Sequence, residues 1–208
     1  MRSILSYLQD RYRPLSIILY GSYADGSNGA NSDFDAFVVI ADGGRYHDVS
    51  IVDGVQLDVF VYPQSAVEGD IDCAEFIQIA DGTILTDTNG IGCRLKNKVR
   101  AHLESIPPKS AEDIQAEIEW CRKMLCRAER KDTEGYYRWH WLLTDSLEIL
   151  CDVLRQPYCG PKKSLRWLKE NRPHLYTVYE DALRKADVEA LKKWVDCLVE
   201  LHDSSCER

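Results

Sequence analysis

The chain has 208 residues, 45% hydrophobic and 29% charged, with a formal net charge of −8. That is the composition of an ordinary globular protein, with room for one generous domain or two small ones. Residues 1–108 hold 8 basic and 15 acidic side chains, against 18 and 19 in residues 109–208; so acidic a first half argues against the basic surface that a long nucleic acid needs. No run approaches the roughly 20 apolar residues that span a bilayer. The opening MRSILSYLQDRYRP meets charge too early for a signal peptide. A soluble, cytoplasmic protein with no membrane association is expected.

Residues 3–11 predict a short helix, and Leu15–Tyr20 a strand. A Gly/Ser/Asn-rich stretch separates that run from a second apolar one over Phe34–Ile40, and a turn follows at Asp42-Gly43-Gly44. Val49–Val52 and Val55–Tyr62 flank Asp53-Gly54, a strong two-residue hairpin signal. Phe76–Ala80 and Thr83–Thr86 flank Asp81-Gly82 and read as a second hairpin, with a helix over 73–80 as the alternative. Residues 91–104 predict a helix with Leu95, Val99 and Leu103 on one face.

Ile106-Pro107-Pro108-Lys109 breaks the chain, and strand signals vanish past it. Ser110 and Asp113 resemble a capping box, followed by Ile114, Ile118, Cys121 and Leu125 at helical spacing. A longer helix over 134–155 would face Tyr136, Trp139, Leu143, Leu147, Leu150 and Leu154 inward. Helices at 162–171, 174–185 and 187–202 complete a four- or five-helix bundle, with Asp187 as an N-cap. The expected class is α+β: a small mixed α/β domain over residues 1–106, then an all-α helical bundle over 109–208. Ser-Ser-Cys-Glu-Arg at the end reads as a loose tail. The eight cysteines include no C-x-x-C pair, so they read as reduced structural thiols rather than disulfides or a zinc site.

The chemistry-bearing segment is Leu19-Tyr20-Gly21-Ser22, ten intervening residues, then Asp33-Phe34-Asp35. Gly21 permits a tight turn with backbone close to a ligand. Ser22 offers a hydroxyl and an N–H at the start of a short helix, where phosphate is attracted. Asp33 and Asp35 alternate with Phe34 at a strand start, so both carboxylates project to one side. Two such carboxylates repel unless a cation lies between them, and Mg²⁺ suits oxygen ligands beside substrate phosphates. Asp58 sits in a strand between Leu57 and Val59, which face away from it. If that strand lies beside the first acids, all three converge.

Gly-Ser, ten residues that end in Ser32, Asp-x-Asp and a later strand aspartate together resemble the DNA polymerase β-like nucleotidyltransferase superfamily. Within it the chain is similar to the antibiotic (aminoglycoside or lincosamide) nucleotidyltransferases and the minimal nucleotidyltransferases. The resemblance covers about residues 15–104, including Asp81-Gly82-Thr83-Ile84-Leu85-Thr86-Asp87, and a following helical domain fits it. Asp25 departs from it, because many relatives have a basic residue in Gly-Ser-x-Ala-Arg-Gly.

The resemblance implies a catalytic domain over residues 1–106 that binds Mg²⁺ and ATP or another nucleoside triphosphate. Asp33 and Asp35 would hold one ion, and a second would be shared with Asp58, which is alternatively the general base. Gly21 and Ser22 would cradle the outer phosphates, and Lys162 and Lys163 would reach the triphosphate from the bundle. Glu75, Asp145 and Glu148 are further candidates for activating the acceptor, although each also reads as an exposed or paired carboxylate. The aromatic run Tyr136-Tyr137-Arg138-Trp139-His140-Trp141 would partly wall an acceptor pocket and partly fill the core.

The expected reaction moves a nucleoside monophosphate to a hydroxyl of a small molecule, such as a polycationic antibiotic, with pyrophosphate release and a possible homodimer. The alternative is a protein-modifying (AMPylating) nucleotidyltransferase of a toxin–antitoxin pair. Toxic ribonuclease bundles of that system carry Arg followed four to six residues later by His, and no histidine of this chain stands so. A non-catalytic nucleotide-binding module is the third reading, disfavoured because all three acids are present.

Overall fold

The computed structural model describes residues 1–185 and 187–206, and the chain divides into two compact units, Met1–Pro107 and Pro108–Arg208. The first contains α1 (Arg2–Tyr12), β1 (Ser16–Leu19), α2 (Gly21–Asp25), β2 (Phe34–Ile40), β3 (Tyr46–Asp48), β4 (Ile51–Val52), β5 (Val55–Pro63), β6 (Thr83–Asp87) and α3 (Ile91–Ser105). The strands form one sheet in the order β3-β5-β2-β1-β6, with β4 paired to β5. Among the described residues, only β2 and β5 run parallel; the other strand pairs are antiparallel.

Period-2 alternation sorts the sheet into two apolar faces. Ile17, Leu19, Phe34, Ala36, Val38, Leu57, Val59 and Val61 pack with Ile4 and Leu8 of α1. Ile18, Tyr20, Phe37 and Val39 pack with Phe76, Ile79, Ile91, Leu95 and Val99, and Phe60 and Tyr62 lie against them. With both faces covered, β1 is buried along its whole length, which explains its unbroken apolar run. Asp53 and Gly54 both take positive φ, 54° and 79°, as a tight β4–β5 hairpin requires.

The second predicted hairpin is not there; its alternative, a helix over 73–80, is. Cys73–Ile79 is a 3-10 helix, capped by the Asp72 side chain, which accepts from Ala74 N at 3.0 Å. Its buried residues are Cys73, Phe76 and Ile79, the three-residue spacing that a 3-10 turn presents to one side. Gly82 is needed for room rather than for a hairpin turn: a Cβ there would meet Ile18 Cγ2 at 2.6 Å and Leu19 O at 3.0 Å. Asp48 is fully buried on β3 and accepts from Tyr7 Oη (3.0 Å), Tyr12 Oη (2.7 Å) and Ser50 N (2.9 Å).

The second unit is helical: α4 (Ala111–Ala128), α5 (Thr133–Val153), α6 (Gly160–Asn171), α7 (Pro173–Arg184) and α8 (Val188–Cys206). Ser110 Oγ accepts from Asp113 N at 3.0 Å and caps α4, and Asp187 accepts from Glu189 N at 3.3 Å at the head of α8. Trp194 is fully buried and donates to Ser146 Oγ at 2.8 Å.

Two apolar residues face outward against expectation. Tyr136 is 53% exposed, because the buried stripe of α5 runs through Gly135, Trp139, Leu142 and Ser146 instead. A Cβ on Gly135 would stand 3.2 Å from Ala128 O, so the helix starts hard against the end of α4 and turns its neighbour outward. Leu103 is 37% exposed, since the buried stripe of α3 stops at Val99. The expected loose tail is helical through Cys206, while Glu207 and Arg208 lie outside the described residues. Cysteines 73, 93, 121, 126, 151, 159 and 197 are free. Among the described residues no helix is long and apolar enough to cross a membrane.

Candidate active site

The β2–β5 register pairs Phe34 with Leu57, Asp35 with Asp58, and Phe37 with Phe60. Directly paired residues on adjacent strands point to the same side of a sheet. Asp35 and Asp58 are therefore neighbours at the end of the row continued by Phe37 and Phe60. Their flanking residues Phe34, Ala36, Leu57 and Val59 are buried on the opposite face. Asp33 precedes the first residue of β2 and is exposed, so no ladder pair fixes it.

Tyr20 joins this corner from β1. Its N–H donates to Asp35 O at 3.1 Å, and its ring is buried. Burial, then the charges of Asp58 and Asp35, push the Tyr20 phenol well above its ordinary range, so it stays a neutral hydroxyl beside the acids. Gly21 follows with φ 64° and opens α2. A Cβ on Gly21 would stand 2.8 Å from Asp35 Cγ. The Gly-Ser turn is thus pressed onto the carboxylate, with space that only glycine leaves open.

A histidine that the sequence reading gave no role completes the corner. His47 on β3 pairs with Phe60, lies flat on its ring (centroids 4.3 Å apart, planes at 4°) and brings Nε2 to 2.6 Å from Asp58 Oδ1. A three-residue strand is too short to show periodicity, so nothing in the sequence placed His47 on this face. Among the described residues no three His, Cys, Asp or Glu side chains gather closely enough to hold a metal ion. The donor chemistry nevertheless suits a hard divalent cation: Asp35 and Asp58 side by side, Asp33 two residues away, and oxygen ligands throughout.

The other predicted residues lie elsewhere. Glu75 accepts from Arg45 Nη1 at 3.1 Å, and Arg45 lies over the Tyr62 ring at 4.6 Å; this carboxylate is engaged as an ion pair. In the helical unit Asp145 accepts from Trp141 Nε1 at 2.6 Å. Asp145 and Glu148 line a cavity of about 280 Å³ with Lys109, Glu117, Trp120 and Ile149. Lys162 and Lys163 are exposed in the first turn of α6. Of the aromatic run, Trp139 is core, whereas Tyr136, Tyr137, His140 and Trp141 are exposed.

A mixed sheet with this acid pair set against a Gly-Ser turn is consistent with the DNA polymerase β-like nucleotidyltransferase class in the first unit. In agreement, residues 1–81 match the family model described as nucleotidyltransferase domain. No curated protein matches the sequence. Among solved structures the chain is similar to a nucleotidyltransferase-like protein from Exiguobacterium sibiricum 255-15, at 14% identity and a TM-score of 0.43 over 98% of this chain and 73% of that one. It is also similar to a chain of a toxin-antitoxin solved with AMP-PNP, at 21% identity and a TM-score of 0.36 over 57% of this chain and 94% of that one.

Proposed function

We propose that the protein is an Mg²⁺-dependent nucleotidyltransferase that moves a nucleoside monophosphate, AMP from ATP, to a hydroxyl of a small molecule. The observation that carries this reading is the pairing of Asp35 with Asp58 beside Gly21, within the nucleotidyltransferase-family match. A divalent cation, when bound, would supply positive charge toward the triphosphate and the leaving oxygen. Asp33 and Asp35 offer it oxygen ligands, with Asp58 at their side. Gly21 lets the backbone approach the phosphates, and Ser22 contributes its hydroxyl and N–H.

Asp58 faces the acceptor and takes the proton from its hydroxyl. The new bond forms between that oxygen and the α-phosphorus, and pyrophosphate leaves. The acidic balance of residues 1–108 supports a cationic, hydroxylated acceptor of the aminoglycoside kind.

The test incubates the full chain with Mg²⁺, labelled ATP and a panel of hydroxylated antibiotics, and reads mass gains of one nucleoside monophosphate. Transfer should fall at least about 100-fold in Asp33→Ala/Asp35→Ala, beyond the roughly 10- to 100-fold loss typical of an outer-shell partner. Undiminished transfer in that variant would overturn the assignment. Label on a protein rather than an antibiotic would favour the AMPylating alternative. Sedimentation of the same sample tests the homodimer.

A further inference from the structure

We propose that His47 is a positioning residue for Asp58. It holds one carboxylate oxygen by a hydrogen bond, so that the other is presented to the cation and the acceptor. This rests on the functional reading above, because it concerns the same acid pair.

The geometry begins at the edge of the sheet. β3 pairs antiparallel with β5, setting His47 opposite Phe60 and Asp48 opposite Val59. Alternation sends the two side chains to opposite faces. Asp48 points toward α1, where Tyr7 Oη and Tyr12 Oη donate to Oδ2 at 3.0 and 2.7 Å, and Ser50 N donates to Oδ1 at 2.9 Å. That buried anchor pins a strand of only three residues. With Asp48 fixed, His47 is fixed on the acid face.

Two contacts then define the ring. Its plane lies 4° from that of Phe60 with centroids 4.3 Å apart, and Nε2 stands 2.6 Å from Asp58 Oδ1. The reach is diagonal, from one residue to the partner's neighbour two along, which is the span aromatic side chains cover between strands. An ionised carboxylate only accepts, so Nε2 carries the hydrogen and donates it. Arg45, two residues upstream, is occupied with Glu75 and the Tyr62 ring and does not take this place.

Asp58 is 39% exposed on its side chain, and unaided it would sample several rotamers. Held through Oδ1 by a ring that is itself stacked, it keeps Oδ2 in one direction beside Asp35. Carboxylate ligands of metal sites are commonly fixed by such outer partners, and losing one typically costs about 10- to 100-fold in metal affinity or activity.

The experiment uses the full chain, with Mn²⁺ alone as probe, and measures affinity by titration calorimetry for wild type, His47→Phe, His47→Gln, Asp35→Ala and Asp58→Ala. His47→Phe keeps a ring over Phe60 but has no N–H. His47→Gln restores a donor at similar reach. Melting in EDTA shows whether each variant is folded. The expected result is at least a 10-fold weaker Mn²⁺ affinity in His47→Phe, recovery toward wild type in His47→Gln, and unchanged melting. In turnover at saturating metal, His47→Phe should lower kcat with little change in KM for ATP.

If His47→Phe binds Mn²⁺ like wild type while Asp35→Ala and Asp58→Ala do not, the positioning role is overturned and the functional reading stands. If wild type shows no Mn²⁺ binding that depends on Asp35 and Asp58, both are overturned.

Discussion

Gly21 lies against the carboxylate of Asp35, so close that a Cβ would stand 2.8 Å from Cγ and 3.2 Å from the Asp35 Cβ. Gly26, five residues on, shares the positive φ (73° against 64°) but would meet nothing within 4 Å. The two glycines therefore separate backbone strain from site geometry. Gly26→Ala should cost about 1 kcal/mol for the left-handed backbone and leave transfer per folded molecule intact. Gly21→Ala carries the same strain and also displaces Asp35, so transfer should drop by an order of magnitude or more. Denaturant melts paired with product mass spectra check both.

Metal binding should register as stability. A ligand that binds only the folded chain stabilises it by about 2.7 kcal/mol at 100 times its Kd. Mg²⁺ or Mn²⁺ is expected to raise Tm of the first unit in wild type, and Asp35→Asn should abolish that rise while remaining folded. Scanning calorimetry with and without the ion measures it; an equal rise in the variant would place the ion elsewhere.

Asp48 gives a prediction for pH. Burial opposes its charge, but hydrogen bonds from Ser50, Tyr12 and Tyr7 prevail and hold its carboxyl below the ordinary carboxylate range. A lowered folded-state pKa means the unfolded chain takes up the proton first. The contribution is thus fully present above the ordinary value near 3.9 and is lost as pH falls through the lower folded-state value. Asp48→Ala should cost about 3 kcal/mol by removing a buried acceptor of several hydrogen bonds, and should flatten stability against pH in the acid range. Urea melts at a series of pH values read both effects.

In the helical unit, Trp194 Nε1 donates to Ser146 Oγ in the fully buried core. Trp194→Phe leaves that hydroxyl without its donor and opens space beside Tyr179, whose ring centroid lies 4.6 Å from that of Trp194. A loss of about 2–4 kcal/mol is expected from the cavity and the broken bond together. Helical circular dichroism during thermal melting checks it.

Much of this molecule was legible along the chain. β2 begins and ends where the apolar run does, and Asp53-Gly54 turns as its residue types demand. The bundle helices follow their apolar stripes to within a few residues. What misled was ambiguity of period: Phe76 and Ile79 suit a strand pattern nearly as well as a 3-10 turn, and only the packing of Cys73, Phe76 and Ile79 under one face decides between them. Tyr136 failed for a related reason, because a buried Gly135 shifts the inward stripe by one residue.

The site divides along the same line. The placement of Gly21, Ser22 and Asp35 was readable because a turn and a strand start are local, whereas Asp33 precedes β2 and no ladder pair fixes it. That Asp58 stands opposite Asp35, and that His47 reaches it, depends on a parallel pairing between strands distant in sequence and on a three-residue edge strand held by Asp48. Such register follows from burying both faces of the sheet at once. It is a property of the closed sheet rather than of any segment, so it emerged only with the tertiary structure.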